Sequence, residues 1–201
     1  QLMANEVNIG YCQTHGIAMY RRKSGGGCVY ADKGNLMLSY ITKDENANLT
    51  FNRYINLIVL ALHRMGIEAK ATGRNDILID GRKVSGNAFY HLPGRSIVHG
   101  TLLYDTNTEH ITHSITPSHA KLESKGVRSV RQHITLLKDH TDMSLDEVKK
   151  WMVTTLCDSQ QTLSSEDIKR IEHIEENYLK EGFILGNDPR YTLLRQGRIE
   201  G

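Results

Sequence analysis

The chain has 201 residues, of which 39% are hydrophobic and 24% are charged. This is the composition of an ordinary globular protein, so wholesale disorder is excluded. The formal net charge of +2 gives no sign of a protein that wraps nucleic acid. The longest apolar run, Leu57–Leu62, is far shorter than the roughly 20 residues of a membrane span. Three separated cysteines without a CxxC pair, and no signal-peptide pattern, favour a reducing, cytoplasmic location.

The pattern of apolar residues and turn residues predicts alternating strands and helices. Ser144 with Glu147 and Ser164 with Asp167 predict capping boxes, and Gly182 predicts the end of the last helix. Turn-length links between strands favour antiparallel pairing, which predicts an α+β fold with a mainly antiparallel or mixed sheet packed with helices. In chain order, the predicted elements are a helix over 6–14, strands over 17–22, 28–31 and 35–42, a helix over 47–65, strands over 68–71, 77–80, 83–90 and 96–104, and helices from Ser144 and Ser164 onward.

A basic, glycine-rich segment, RRKSGGG, runs from Arg21 to Gly27. Successive glycine N–H groups can form an anion-binding concavity, and arginine offers a planar fork for carboxylate or phosphate. The segment has neither the GxxxxGK[ST] order of a Walker A loop nor the GxGxxG order of a dinucleotide loop. The alternative is a glycine-rich hairpin beside a solvated basic strand, and the segment alone leaves both interpretations open.

Three further polar positions follow on consecutive predicted strands. Alone, Asn75-Asp76 is typical of an Asx turn, Lys83 of a solvated lysine, and His99 of a structural histidine. Together with the glycine-rich segment, they fall on one predicted sheet and could converge on an anionic ligand.

Four stretches, in this order and spacing, resemble the lipoate–protein ligase family, relatives of the biotin–protein ligases. They are RRKSGGGCVYADKGNL (21–36), GRNDILIDGRKVSGNAFY (73–90), HGTLL (99–103) and KLESKGVRSVRQHIT (121–135). The resemblance implies the mixed sheet that biotin ligases share with class II aminoacyl-tRNA synthetases. It also implies one catalytic domain over 1–201 that lacks its first strands, with a helical part over 136–201 and no accessory C-terminal domain in view.

The resemblance further implies a reaction. ATP, Mg²⁺ and lipoate give lipoyl-adenylate, and the lipoyl group passes to a lysine of an apo lipoyl domain, in 2-oxoacid dehydrogenase subunits or the glycine-cleavage carrier protein. Lys83 matches the catalytic lysine of the family, and Asp76 is the candidate Mg²⁺ ligand. The residues expected to bind lipoate and the adenylate are Arg22, Ser24, Gly25, Gly26, Gly27, Asn75, Asp76, Lys83, Ser85, Gly86, Ala88 and His99.

Other functions remain open at this point. A lipoyl or octanoyl transferase of the same fold would lack its own adenylation step. Carrier-dependent octanoyl transfer uses a cysteine nucleophile, whereas Cys28 and Cys157 are interpreted as packing cysteines. A non-catalytic binding module would not need Lys83. Ala31 and Val98 stand where many relatives have histidine, which leaves the choice between lipoate and octanoate open.

Overall fold

The computed structural model, which describes residues 3–43, 46–73, 75–116 and 133–186, contains a sheet of five strands. The strands are β1 (Asn35–Thr42), β2 (Ala69–Ala71), β3 (Asp76–Ile79), β4 (Arg82–Leu92) and β5 (Arg95–Leu103). Their order is β1-β5-β4-β3-β2, and each neighbouring pair is antiparallel. Asp80 (φ 50°) and Gly81 (φ 74°) join β3 to β4, as expected for a two-residue hairpin of the Asp-Gly type. The predicted α+β fold with a mainly antiparallel sheet is confirmed.

Two short 3₁₀ helices (Met3–Asn5 and Leu137–His140) and six α-helices accompany the sheet in the described ranges. The α-helices are α1 (Ile9–Thr14), α2 (Ala47–Arg64), α3 (Thr108–Ser114), α4 (Leu145–Leu156), α5 (Ser165–Tyr178) and α6 (Glu181–Leu185). Both predicted capping boxes are present, at the starts of α4 and α5. No helix in these ranges combines the length and apolar character of a membrane span.

The predicted end of the last helix at Gly182 is wrong. The helix stops at Tyr178, because Lys180 is extended (φ −64°, ψ 127°) and starts the short helix α6. The rings of Tyr178 and Phe183 meet edge to face at 5.1 Å, which holds α5 and α6 at an angle. Gly182 lies inside α6, and Gly186, at φ 73°, ends it in the left-handed conformation that favours glycine.

The main core lies between α2, α4 and one face of the sheet. Ile58 and Leu62 of α2 and Val98 and Leu102 of β5 belong to one buried cluster. Burying an aliphatic side chain of this size stabilises the fold by about 1.5–3 kcal/mol. The indole Nε1 of Trp151 in α4 donates to a backbone carbonyl of α2 over 3.1 Å. This packing leaves the opposite face of the sheet for other contacts.

The strands predicted over 17–22 and 28–31 are wrong. Neither stretch is a strand, and their backbone groups bond elsewhere. The amide of Ile17 donates to the carbonyl of Cys12 (2.8 Å), and the amide of Cys28 donates to the carboxylate of Glu6 (3.1 Å). Side chains and helix ends thus hold this segment, which carries the glycine-rich sequence, beside the sheet.

Candidate active site

Four of the expected site residues lie on the face of the sheet opposite α2. Asp76 pairs with Gly86 across β3 and β4, and Ala88 pairs with His99 across β4 and β5. Directly opposed residues of antiparallel strands project to the same face, as do residues two apart on one strand. Val98, next to His99, is buried in the core with α2. The four residues therefore share the other face.

A β-bulge brings Lys83 to this same face. The register shifts between Ile77 and Leu78 of β3, which leaves Val84 as an extra residue on β4. Strict alternation would place Lys83 and Gly86 on opposite faces of the sheet. A bulge changes the face to which the residues beyond it project. The side chain of Lys83 therefore projects to the same face as Asp76 and reaches its carboxylate.

Lys83 and Asp76 form a largely buried ion pair. Nζ of Lys83 lies 2.7 Å from Oδ1 of Asp76, and the two side chains are 23% and 6% exposed. Nε2 of His133 lies 3.8 Å from Oδ2 of the same carboxylate. The amide of Thr135 donates to the carbonyl of Lys83 over 2.9 Å, which fixes the 133–135 stretch beside the pair. A cationic group therefore lies on one side of Asp76 and a titratable imidazole on the other.

His133 was not among the expected site residues. It belongs to the stretch 121–135 on which the family resemblance partly rests, and that membership was the available signal. Residues 121–132 of that stretch, and Arg74 before Asn75, lie outside the described residues.

Gly86 is required by the position of the lysine. A Cβ at Gly86 would lie 2.7 Å from Nζ and 2.8 Å from Cε of Lys83. These separations are well below the roughly 3.5–4.0 Å optimum for non-bonded carbon atoms. The absent side chain is therefore the space through which Lys83 reaches Asp76.

The glycine-rich segment is folded around its own arginine. Nη2 of Arg22 donates to the carbonyls of Gly25 (2.9 Å) and Gly27 (2.8 Å), and Gly26 has φ 97°. Nε of Arg22 is buried and has no hydrogen-bond partner among the described residues. Burial lowers the pKa of Arg22, against the raising effect of nearby Cys28 and Glu6, but an arginine stays protonated in proteins. The segment therefore encloses a charged guanidinium group.

Ser24 joins this segment to the sheet. Its hydroxyl lies 2.6 Å from Nε2 of His99. Burial, and secondarily the charge of Arg22, lower the pKa of His99 below its usual value of 6.5. His99 is therefore neutral at pH 7 and can take either role in a hydrogen bond with Ser24. The contact brings the two groups of expected site residues together at His99.

A cavity of about 380 Å³ adjoins the segment. Its walls include Met3, Glu6, Arg22, Ser24, Gly26 and Cys28. The volume is within the range of about 300–1,000 Å³ that small-molecule sites occupy. Lys83 and Asp76 do not line this cavity, so the structure has two neighbouring parts: the cavity, and the ion pair further along the same sheet face.

The structure places the other expected residues less centrally. Ser85 lies on the core face, where its hydroxyl donates to Oδ1 of Asn87 over 3.3 Å. Asn75 is exposed at the start of β3. Cys157 is exposed at the end of α4, so its interpretation as a packing cysteine is wrong. Cys28 is partly buried, and its thiol donates to the carbonyl of Glu6 over 3.2 Å.

The described residues contain no group of three or more His, Cys, Asp and Glu that could hold a metal ion. Mg²⁺ is commonly bound by one or two carboxylates together with substrate phosphates. Asp76 supplies one such carboxylate. The residues therefore fit a magnesium ion whose other ligands come with a nucleotide.

Lys83, Asp76 and His99 thus share one face of an antiparallel sheet, beside a glycine-rich segment that contains Arg22. The family model of the lipoyl protein ligase A/B catalytic domain matches residues 1–157. The chain belongs to this family.

Individual proteins agree with this assignment. Lipoate-protein ligase LplJ of Bacillus subtilis is 35% identical over 199 residues, which cover 94% of this chain and 60% of the relative. The bipartite lipoate protein ligase of the archaeon Thermoplasma acidophilum, studied with its E2 lipoyl domain, has a TM-score of 0.81 at 24% identity and covers 99% of this chain and 80% of that chain. A lipoate-protein ligase A bound with ATP has a TM-score of 0.80 at 22% identity, over 92% of this chain and 79% of that chain. The chain thus spans about 60% of the length of this curated relative.

Proposed function

We propose that this protein activates lipoate with ATP and transfers the lipoyl group to a lysine of a lipoyl domain. The observation that carries the proposal is the buried Lys83–Asp76 pair, on the sheet face that also bears His99 and adjoins the glycine-rich cavity. Membership of the lipoyl protein ligase A/B family and the similarity to a lipoate-protein ligase of Bacillus subtilis support the same reaction.

In the first step, a carboxylate oxygen of lipoate attacks the α-phosphorus of ATP, and pyrophosphate leaves with the electron pair of the broken bond. Two anions must approach each other, so the step requires positive charge. Lys83 supplies a cation that Asp76 holds in a fixed position. A bound Mg²⁺ would neutralise part of the phosphate charge, with Asp76 as its protein ligand.

The cavity is the proposed site of the acyl end. Met3 and Val7 form an apolar part of its lining, whereas Arg22 and Ser24 contribute polar groups. The positive charge of Arg22, which lines the cavity, would offset the charge of the carboxylate before activation and of the phosphate after it. Neutral His99 adds no charge of its own to Ser24 at pH 7.

In the second step, the neutral amine of the acceptor lysine attacks the acyl carbon and forms an amide. The bond from the acyl carbon to the phosphate oxygen breaks, AMP leaves with its electron pair, and the proton lost by the nitrogen passes to solvent. No enzyme nucleophile is needed, because the adenylate is already activated. The proposed acceptors are apo lipoyl domains of 2-oxoacid dehydrogenase subunits and the glycine-cleavage carrier protein. A cytoplasmic location is part of the same proposal.

The alternative is a transferase that uses preformed lipoyl-adenylate or an octanoyl carrier. The observation in its favour is that Cys28 lines the cavity. The sulfur and the amide of Cys28 are, however, both bonded to Glu6, so the thiol hydrogen is directed at a backbone carbonyl and not at a general base.

The test is to incubate the protein with lipoate, Mg²⁺-ATP and an apo lipoyl domain and to measure the intact mass of the acceptor. A ligase releases pyrophosphate only when lipoate is present, and the acceptor gains one lipoyl group. Modification from preformed lipoyl-adenylate, without any from ATP and lipoate, would establish the transferase instead.

A further inference from the structure

Asn87 of β4 makes two hydrogen bonds to one carbonyl. Its backbone amide donates to the carbonyl of Asn75 over 2.9 Å, and its side-chain Nδ2 donates to the same oxygen over 3.0 Å. Its Oδ1 accepts from the hydroxyl of Ser85 over 3.3 Å. Asn87 is only 6% exposed. The side chain is thus held at both ends, and it fixes the residue that precedes Asp76.

Gly100 reserves the space for this side chain. A Cβ at Gly100 would overlap with Oδ1 of Asn87 and would lie 2.8 Å from Cγ of Asn87 and 3.1 Å from the carbonyl oxygen of Gly86. Gly100 is not among the glycines with positive φ, so its backbone conformation suits any residue. The glycine is therefore explained by the room that Asn87 needs. The two residues face each other directly in the register of β4 and β5.

The carbonyl that Asn87 holds lies at the start of β3. Thr72 bonds the backbone of Asp76 through its own amide (3.0 Å) and hydroxyl (3.2 Å). The amide of Asp76 also donates to the hydroxyl of Thr72 over 3.3 Å, so Thr72 and Asn87 hold the N–H and the carbonyl of the Asn75–Asp76 peptide. Because Asp76 fixes the ammonium of Lys83, a shift of this peptide moves the carboxylate and the lysine together.

We propose that Asn87, in the space left by Gly100, is a positioning residue for the nucleotide end of the site. It touches no substrate, and it acts by fixing Asn75 and Asp76. This inference rests on the proposed function, in which Asp76 would hold the Mg²⁺ that accompanies ATP. The inference predicts that a change at Asn87 affects the binding of ATP but not of lipoate, because the cavity proposed for the acyl end is lined by other residues.

The experiment compares Asn87→Ala and Asn87→Asp with the natural protein. Aspartate keeps the size of the side chain and the acceptor for Ser85 but has no Nδ2 donor. The matched control is Asn35→Ala, because Asn35 also donates its amide to a backbone carbonyl (Tyr30, 3.3 Å) at the far end of β1. Calorimetry measures the binding of Mg²⁺-ATP and of lipoate separately, and steady-state pyrophosphate release gives KM for each.

We expect both Asn87 variants to weaken ATP binding about tenfold, as for the loss of one hydrogen bond of about 1.4 kcal/mol. Lipoate binding should stay within about twofold, and Asn35→Ala should change neither. Unchanged ATP affinity in variants that merely melt earlier overturns the inference, as does a parallel loss for both ligands. A natural protein that binds lipoate but not ATP contradicts the proposed function and removes the inference with it.

The variant Gly100→Ala provides a second, independent test of the role of Asn87. In the natural background, its methyl group displaces the Asn87 amide and should weaken ATP binding as Asn87→Ala does. In the Asn87→Ala background, the remaining close contact of the methyl group is the carbonyl oxygen of Gly86 at 3.1 Å, so the substitution should weaken ATP binding less than it does in the natural background. An equal effect of Gly100→Ala in both backgrounds shows that the glycine acts through another neighbour, and it overturns the assignment.

Discussion

The space at Gly86 makes a quantitative prediction. In Gly86→Ala, the new methyl group would lie 2.7 Å from Nζ and 2.8 Å from Cε of Lys83. Because carbon atoms prefer roughly 3.5–4.0 Å, the end of the lysine must move by about 1 Å. The moving atoms end a flexible side chain, so the effect on fold stability is small. A catalytic group misplaced by about 1 Å can lower the rate on the order of 10²-fold.

The assay is lipoate-dependent pyrophosphate release, measured beside the melting temperature. The matched control is Gly182→Ala in α6, where a Cβ would meet no atom within 4 Å. That helix position should become slightly more stable, by about 0.5–1 kcal/mol, with activity unchanged. Full activity of Gly86→Ala would refute the argument that Lys83 must reach Asp76 through this space.

Three further predictions concern the same site. Lys83→Ala should lower adenylate formation on the order of 10²–10³-fold. It should also lower the melting temperature, because the buried carboxylate of Asp76 loses its partner; pyrophosphate release at the natural level from the folded variant would exclude the catalytic role. Gly26→Val places a side chain at φ 97° and a Cβ 3.1 Å from Nη2 of Arg22. Calorimetry should therefore show weakened lipoate binding. Normal binding would mean that the glycine-rich segment has a purely structural role. The lowered pKa of His99 means that the unfolded chain binds its proton more tightly, so stability should fall as the pH drops below 6.5 toward the folded-state pKa. Urea titrations at several pH values should show a smaller acid-side loss in His99→Gln; an identical slope would contradict the assignment.

The parts of the fold that follow from local pattern were predictable. The strand predicted over 35–42 has the observed bounds of β1, and the helix predicted over 47–65 differs from α2 by one residue. Both are set by side-chain periodicity within one element. The segments 17–22 and 28–31 have strand-like composition, yet their hydrogen-bond partners are Cys12 and Glu6. Local composition carries no information about such partners.

In the site, too, some features were predictable from local sequence and others depend on contacts between strands. The residue types and order indicated Lys83 and Asp76, but not how they meet. A strict two-residue period puts Lys83 and Ser85 on one face and Gly86 on the other. The bulge at Val84 reverses this arrangement, so Lys83 joins Gly86 while Ser85 turns to the core. A bulge depends on the pairing of two strands, which alternation along one strand does not reveal.

The segment that walls the cavity belongs to no sheet. Its anchors are side-chain bonds to three separate places: Cys28 to Glu6, Ser24 to His99, and the guanidinium of Arg21 to a carbonyl of α6 over 3.0 Å. Bonds of this kind contribute about 1 kcal/mol each. The wall can therefore open at a free-energy cost of a few kcal/mol while all hydrogen bonds between the strands of the sheet stay intact. Amide hydrogens of 20–28 should then exchange with solvent far faster than those of β4 and β5, so a substrate can enter without any strand having to part.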